Sequence, residues 1–298
     1  MKPFIYLCLC IFATLMFACT PGAVVVHENT YQPPPPPPPS PAPVQEATYQ
    51  VFYDELSPYG RWIDYPGYGY VWAPNAEPDF QPYSSNGHWV YSDEGWTWVS
   101  NYQWGWAAFH YGRWFFEEGY GWLWLPGREW APAWVTWGQS GNYYGWAPLA
   151  PRVELNERYT PPPHYWTFVP QEHITKLNVH DYVINRTNNV TIVKNVTIIN
   201  NITNNKTVVN NNTNVTNNRT TVVYNKGPHI NEVEKVTNTH VQVVNINENN
   251  KPTPTVVNKN KLVIYRPVIK EEPQAQKKSA PRQAEQYKPG TPKPQTNN

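Results

Sequence analysis

Fourteen of the 15 tryptophans in this chain of 298 residues lie between Val51 and Pro151, and they recur in a fixed setting. Gly60-Arg61-Trp62 precedes Tyr68-Gly69-Tyr70-Val71-Trp72, and Gly87-His88-Trp89 precedes Gly95-Trp96-Thr97-Trp98. Gly112-Arg113-Trp114 precedes Tyr120-Gly121-Trp122-Leu123-Trp124. The opening glycines are 27 and then 25 residues apart, a period that marks a repeated supersecondary unit. Within each unit aromatic residues alternate with others, as in Trp96/Trp98, Trp122/Trp124 and Trp89/Tyr91, and period two belongs to strands. Turns with glycine, Asp93-Glu94-Gly95 and Glu118-Gly119-Tyr120-Gly121, divide the runs. Each unit therefore reads as a β-hairpin. A lone hairpin is barely stable in water, so the units must share a core.

The expected fold is all-β: tryptophan-rich repeated β-hairpins forming one compact domain over residues 48–168. The segments Gly127–Trp137 and Gly145–Pro148 close the set. A fragment of residues 48–170 is expected to fold alone. The runs Ser57-Pro58-Tyr59-Gly60-Arg61-Trp62, Trp104-Gly105-Trp106-Ala107 and His110-Tyr111-Gly112-Arg113-Trp114 carry a resemblance, as do Trp134-Val135-Thr136-Trp137 and Gly145-Trp146-Ala147-Pro148-Leu149. From about Tyr53 to Pro151 the chain resembles a tryptophan-rich family of exported bacterial lipoproteins of unknown function. That resemblance implies an exported, all-β, non-enzymatic module and brings no activity with it.

Residues 1–19 read as a processing segment. Lys2 supplies a positive start, and Phe4–Ala18 is an apolar run too short to span a bilayer comfortably. The run ends in Leu15-Met16-Phe17-Ala18-Cys19, which resembles a bacterial lipobox, although Met16 and Phe17 are bulkier than the usual pair. The resemblance implies acylation of Cys19; an ordinary signal peptide cleaved nearby is the alternative. The other cysteines, Cys8 and Cys10, lie inside the segment that processing removes. The mature chain would then hold no free thiol, no disulfide and no cysteine-ligated metal. Two or more acyl chains anchor stably where one is marginal. By resemblance to known sorting rules, the absence of aspartate after Cys19 favours the outer membrane. The periplasmic face is expected, with the cell surface as the alternative.

Residues 20–47 read as a tether. Pro33–Pro39 is an unbroken proline run followed by Ser40-Pro41-Ala42-Pro43. Polyproline II rises about 3.1 Å per residue, so this stretch would act as a spacer of roughly 34 Å. Residues 174–224 change character. Of the 33 residues 185–217, 13 are Asn, 7 are Thr and 10 are Val or Ile. Near-hexads begin at Asn189, Asn195 and Asn201, and an even repeat keeps like residues on one strand face. Two readings stand side by side: an Asn/Thr-rich β-ribbon or solenoid-like segment, and a polar low-complexity connector. Residues 225–268 suggest a small βα appendage packed on that ribbon, with a helix near Ile230, Val233 and Val236. Residues 269–298, with six Lys or Arg against three Glu from Lys270 onward, read as a disordered basic tail.

The net charge of +1 offers no electrostatic footing for nucleic acid, and neither a cofactor nor a metal site is expected. Exposed aromatic rings beside polar groups are the chemistry of a sugar platform. The candidate platform is Trp62, Trp89, Trp104, His110, Arg113 and Trp114, with Asp64, His88, Asn101 and Glu117 near them. The competing reading is structural: tryptophans at strand spacing pair across strands, His110 bonds backbone and Arg113 stacks on an indole. Acid pairs at Asp54-Glu55, Asp93-Glu94 and Glu117-Glu118 sit at turns, where solvation explains them as well as glycoside hydrolysis does. The expected function is a structural or interaction module of the cell envelope, without catalytic residues. Carbohydrate or peptidoglycan binding is the first alternative and a glycan-active hydrolase the second. The expected partners are the membrane through its lipid, an envelope glycan, or an envelope protein.

Overall fold

Four hairpins carry the fold, and each places two tryptophans directly opposite one another. The structure is a computed structural model that describes residues 45–155, 159–207, 220–271 and 279–290. In chain order its elements are β1 (Glu46–Ala47), α1 (Gln50–Leu56), β2 (Gly60–Tyr65), β3 (Gly69–Pro74), β4 (Gly87–Ser92), β5 (Gly95–Ser100) and α2 (Gly105–Ala108). Then come β6 (Arg113–Glu117), β7 (Gly121–Leu125), β8 (Val135–Ser140), β9 (Tyr143–Pro148), β10 (Thr167–Pro170), α3 (Asn189–Val193) and β11 (Thr197–Ile199). They are followed by β12 (Ile202–Thr207), β13 (Thr220–Asn225), α4 (Ile230–Thr237), β14 (Val243–Asn249), β15 (Val256–Asn258), β16 (Lys261–Tyr265), β17 (Val268–Ile269) and β18 (Glu285–Gln286). The lipobox-like Cys19 and the proline run lie outside the described residues.

The cross-strand pairs are Trp62 with Trp72, Trp89 with Trp98, Trp114 with Trp124, and Trp137 with Trp146. They explain the Gly-x-Trp spacing. The glycine lies two residues before the first tryptophan, on the same strand face, and the partner indole leans across it. A Cβ on Gly60 would sit 2.5 Å from the Trp72 indole nitrogen, and one on Gly87 would sit 2.6 Å from the Trp98 ring. Neither distance is physically available to a side chain, so the indole occupies the space a residue other than glycine would need.

Hairpins one and three join in one sheet, ordered β18-β2-β3-β7-β6, with Trp72 opposite Trp124 where they meet. Hairpin two lies in a second sheet, β15-β16-β14-β4-β5, and hairpin four in a third, β10-β9-β8-β11. Indoles from all three sheets converge. Trp89 lies 5.1 Å from Trp98, 4.6 Å from Trp137 and 5.5 Å from Trp146, centroid to centroid, which ties the second sheet to the third. Trp104, just before α2, lies 4.9 Å from Trp72, and Phe109, just after it, lies 6.2 Å from Trp98; the two rings are stacked 5.3 Å apart. Such edge and offset contacts suit the ring quadrupole. Seven indole N–H groups donate to backbone carbonyls, among them Trp124 to Tyr111 at 2.7 Å and Trp146 to Tyr83 at 2.7 Å.

The same core extends well past residue 170. Val233, Val241, Val244, Leu262, Ile264, Tyr265 and Ile269 are buried in it, and the Tyr265 ring lies 4.7 Å from Trp106. β14 pairs in parallel with β4, Val243 opposite Tyr91, and again in parallel with β16. The βα segment therefore extends a sheet of the tryptophan-rich region, where the sequence suggested packing on the ribbon. α4 does form over Ile230–Thr237, ended by Asn238 in the left-handed conformation.

The Asn/Thr segment is not a stack of equivalent coils where it is described. The first hexad, from Asn189, is the short helix α3. The second ends in β11, whose Ile198 lies opposite Gly138 of β8. β12 and β13 do form an antiparallel ribbon, Ile202 opposite Asn225. Its asparagines have individual work. Asn189, 1% exposed, donates to Trp166 O at 2.7 Å, and the Asn225 amide donates to Ile199 O at 2.6 Å. The tail is a further correction. Within the stretch expected to be disordered, Glu285–Gln286 forms β18 and pairs in parallel with Ile63–Asp64 of β2.

Candidate functional site

The tryptophans are in the core and do not form a platform. All 15 are buried, none more than 6% exposed. Trp62, Trp89, Trp104 and Trp114, expected as possible ligand contacts, are each at most 3% exposed. His110 is 1% exposed, stacked on Trp130 at 5.3 Å, with Nδ1 3.1 Å from Ala131 O. Burial pulls its pKa down to about 4. The Arg113 guanidinium lies 3.5 Å over the Trp134 ring and donates to Gly112 O, and burial pulls its pKa down to about 10. The cause is geometric: aromatic residues at strand spacing in three converging sheets meet at the centre, and nothing of their faces remains for a ligand.

The acid pairs are occupied differently. Glu94 meets Arg266 at 2.8 Å and accepts from the Tyr224 hydroxyl at 3.0 Å. Asp54 accepts from the Gln50 amide. His88 is half-buried, and burial holds its pKa below the usual imidazole value. Asn101 bonds Asn86 at the surface. Among the described residues, no group of three His, Cys, Asp or Glu is placed to hold a metal, and no helix is long and apolar enough to cross a membrane.

The surface with the most developed chemistry is the other face of the β18-β2-β3-β7-β6 sheet. Side chains alternate across a strand, so Ile63 and Tyr65 point away from Trp62, and Phe115 and Glu117 point away from Trp114. Ile63, Val71, Ala73, Phe115, Tyr120 and Leu123 form a second, smaller apolar layer there. Tyrosines cap it. Tyr65 and Tyr68 stack at 5.7 Å, and each lies within 5.4 Å of Phe115. Arg152 reaches over Tyr68 at 4.9 Å while donating to Gly67 O, and Arg61 reaches over Tyr120 at 5.4 Å. Tyr65 donates to one Glu117 oxygen at 2.7 Å. Burial and that carboxylate hold the phenol well above its ordinary pKa.

At the edge of this sheet Pro74, Pro78, Phe80, Phe116, Tyr120 and Trp122 line a groove of about 250 Å³. Phe116 is its exposed wall, at 44%. Reading the sequence for tryptophan picked out Glu117 of this face but overlooked its tyrosines. The available signal was the residues between the tryptophans, Arg61, Ile63 and Tyr65, whose alternation assigns them to the opposite side. Tyr287 carried no such signal.

With this geometry in view, the comparisons with known proteins add a family match to one segment and no activity. Residues 53–153 match the model of a Family of unknown function (DUF6600). The matched segment begins in α1 and ends just past β9, so it holds all four tryptophan hairpins but not the strands that complete their sheets: β14, β15, β16 and β18 in two of them, β10 and β11 in the third. No curated protein and no solved structure matches the chain.

Proposed function

We propose that this chain is a non-enzymatic lipoprotein of the bacterial cell envelope that acts as a structural or interaction module. In this reading Cys19 carries the lipid, the proline run spaces the folded part from the periplasmic face of the outer membrane, and the tyrosine-capped sheet face meets a partner. The observation that carries it is that face: an apolar layer under Tyr65, Tyr68 and Tyr120, rimmed by Arg61, Arg152 and Glu117. Tyrosine and arginine around a dehydrated centre are what interaction surfaces concentrate, because both offer large contact area with polar ends. Cys19→Ser is expected to move the protein from the membrane to the soluble fraction; retention on membranes after a carbonate wash overturns the lipid anchor.

The groove beside Phe116 favours a second reading, binding of an envelope glycan. Phe116, 44% exposed, gives ring surface for a sugar C–H face, above a floor that includes the buried Tyr120 and Trp122. Co-sedimentation with isolated peptidoglycan that survives high salt and is lost on Phe116→Ala is the result this reading expects. Equal sedimentation of the two proteins overturns it.

A further inference from the structure

The edge of β2 is occupied by the chain's own C-terminal segment, and the contacts follow that segment residue by residue. The Glu285 carboxylate meets Arg61 at 2.8 Å. The Gln286 amide donates to Asp64 Oδ2 at 3.2 Å. The Tyr287 N–H donates to Asp64 O at 3.2 Å, extending the parallel pairing of Glu285 with Ile63 and Gln286 with Asp64. The Tyr287 ring enters between Tyr65, at 4.4 Å, and Tyr120, at 5.4 Å. Its hydroxyl donates to the second Glu117 oxygen at 2.7 Å, so one carboxylate accepts from two tyrosines, one of the body and one of the tail. The Lys288 N–H donates to the Tyr120 hydroxyl at 2.9 Å.

These are the parts of a peptide-recognition site. A sheet edge supplies main-chain pairing, and a pocket for one side chain supplies selectivity. The segment itself is exposed apart from the half-buried Tyr287. None of its residues belongs to the buried tryptophan core, so it can leave without opening that core. We propose that the β2 edge and the cleft of Tyr65, Glu117 and Tyr120 form a docking site for an extended peptide with a carboxylate two residues before a tyrosine, and that residues 285–288 hold this site as a built-in competitor. The partner's chemistry is read directly from the occupant: a carboxylate for Arg61, a phenol for Glu117, and a strand direction parallel to β2. A tethered competitor acts at an effective concentration in the millimolar range, so a free peptide of ordinary affinity enters only when the tether's own tyrosine is removed. The inference rests on the reading of this face as an interaction surface and is independent of the lipid anchor.

The test uses the full chain and a fluorescein-labelled peptide of residues 279–290, followed by anisotropy. Tyr287→Ala in the chain is expected to raise peptide affinity at least tenfold over the unaltered chain. A peptide whose own tyrosine is replaced by alanine is expected to lose at least tenfold on the Tyr287→Ala chain, and Glu117→Gln in that chain is expected to weaken the intact peptide several-fold. Equal binding to the unaltered and Tyr287→Ala chains, or no saturable binding to either, overturns the proposal. Near-ultraviolet circular dichroism of the tryptophans reports whether the variant stays folded. If it does not, Tyr287→Phe, which keeps the ring and loses the hydroxyl that bonds Glu117, is expected to raise affinity several-fold, and no change with it overturns the proposal. Peptidoglycan co-sedimentation and membrane fractionation on the same proteins separate the outcomes. Their failure counts against the envelope reading, and peptide failure alone counts against the docking site.

Discussion

Acidification is expected to destabilise this fold through His110 over a defined range. The imidazole is 1% exposed and stacked on Trp130. Its bond to Ala131 O requires a proton on Nδ1, which neutral imidazole supplies. Adding the second proton would place a cation in the aromatic core; burial is the largest cause, the backbone bonds to Ala131 and Pro132 offset part of it, the Arg266 charge adds to it, and the folded pKa falls to about 4 against an ordinary 6.5. A depressed folded value means that the unfolded chain takes up the proton first. The stabilisation is therefore complete above pH 6.5 and is lost as pH falls from there towards 4. The difference of about 2.5 units corresponds to about 3 kcal/mol at full loss. For a folded region of this size that is roughly 6–12 °C in Tm.

The control variant is His110→Phe, which keeps a ring on Trp130 and cannot take up a proton. It forfeits the bond to Ala131 O and is expected to cost about 1–3 kcal/mol at pH 7. Urea unfolding of residues 43–298, followed by tryptophan fluorescence at pH 7, 6, 5 and 4, measures both proteins. Carboxylates titrate equally in the two, so the difference between the curves isolates His110. The difference is expected to move by about 3 kcal/mol in favour of the variant between pH 7 and 4, so that His110→Phe equals or exceeds the wild type at pH 4. Curves that stay parallel would refute the argument that His110 is held neutral by burial.

Two further outcomes follow from the core. Gly87→Ala places a Cβ 2.6 Å from both the Trp98 ring and Val99 O, so hairpin two must spread; a loss of about 1–3 kcal/mol in urea unfolding is expected. The sequence suggested that residues 48–170 fold alone, but that fragment lacks Tyr265 against Trp106 and β14 against β4, and it is now expected to give no cooperative thermal transition, whereas residues 43–298 give one.

How much of this was legible in the sequence divides along sequence separation. Each tryptophan hairpin is local: alternation, a glycine turn and a partner strand lie within about 15 residues, so residues 60–74, 87–100 and 113–125 announced their own pairing, while the pairing within 135–148 was not read. Helix α1 went unread because Phe52, Tyr53 and Leu56 give it only two turns of apolar spacing, and a strand-rich neighbourhood hides so short a signal. The candidate site was misplaced for a different reason. Tryptophan density marks where surface is buried as readily as where it is offered. Trp62, Trp89, Trp104 and Trp114 point to the centre, and the tyrosines between them, unremarked, cap the exposed sheet face.

By itself, then, the sequence determined an all-β region of repeated hairpins and the glycine two residues before a tryptophan in three of them, since both follow from contacts between near neighbours. Tertiary structure alone decided the parallel pairings: β1 with β17, β14 with β4, β14 with β16, and β18 with β2. A parallel pair has no tight turn between its strands to leave a mark in composition. It forms because an edge with unpaired N–H and C=O groups exists in the folded body and a distant segment reaches it. Glu285 and Gln286 read as tail in every local respect; they became a strand because β2 was left with a free edge and because the cleft beside Glu117 fits Tyr287.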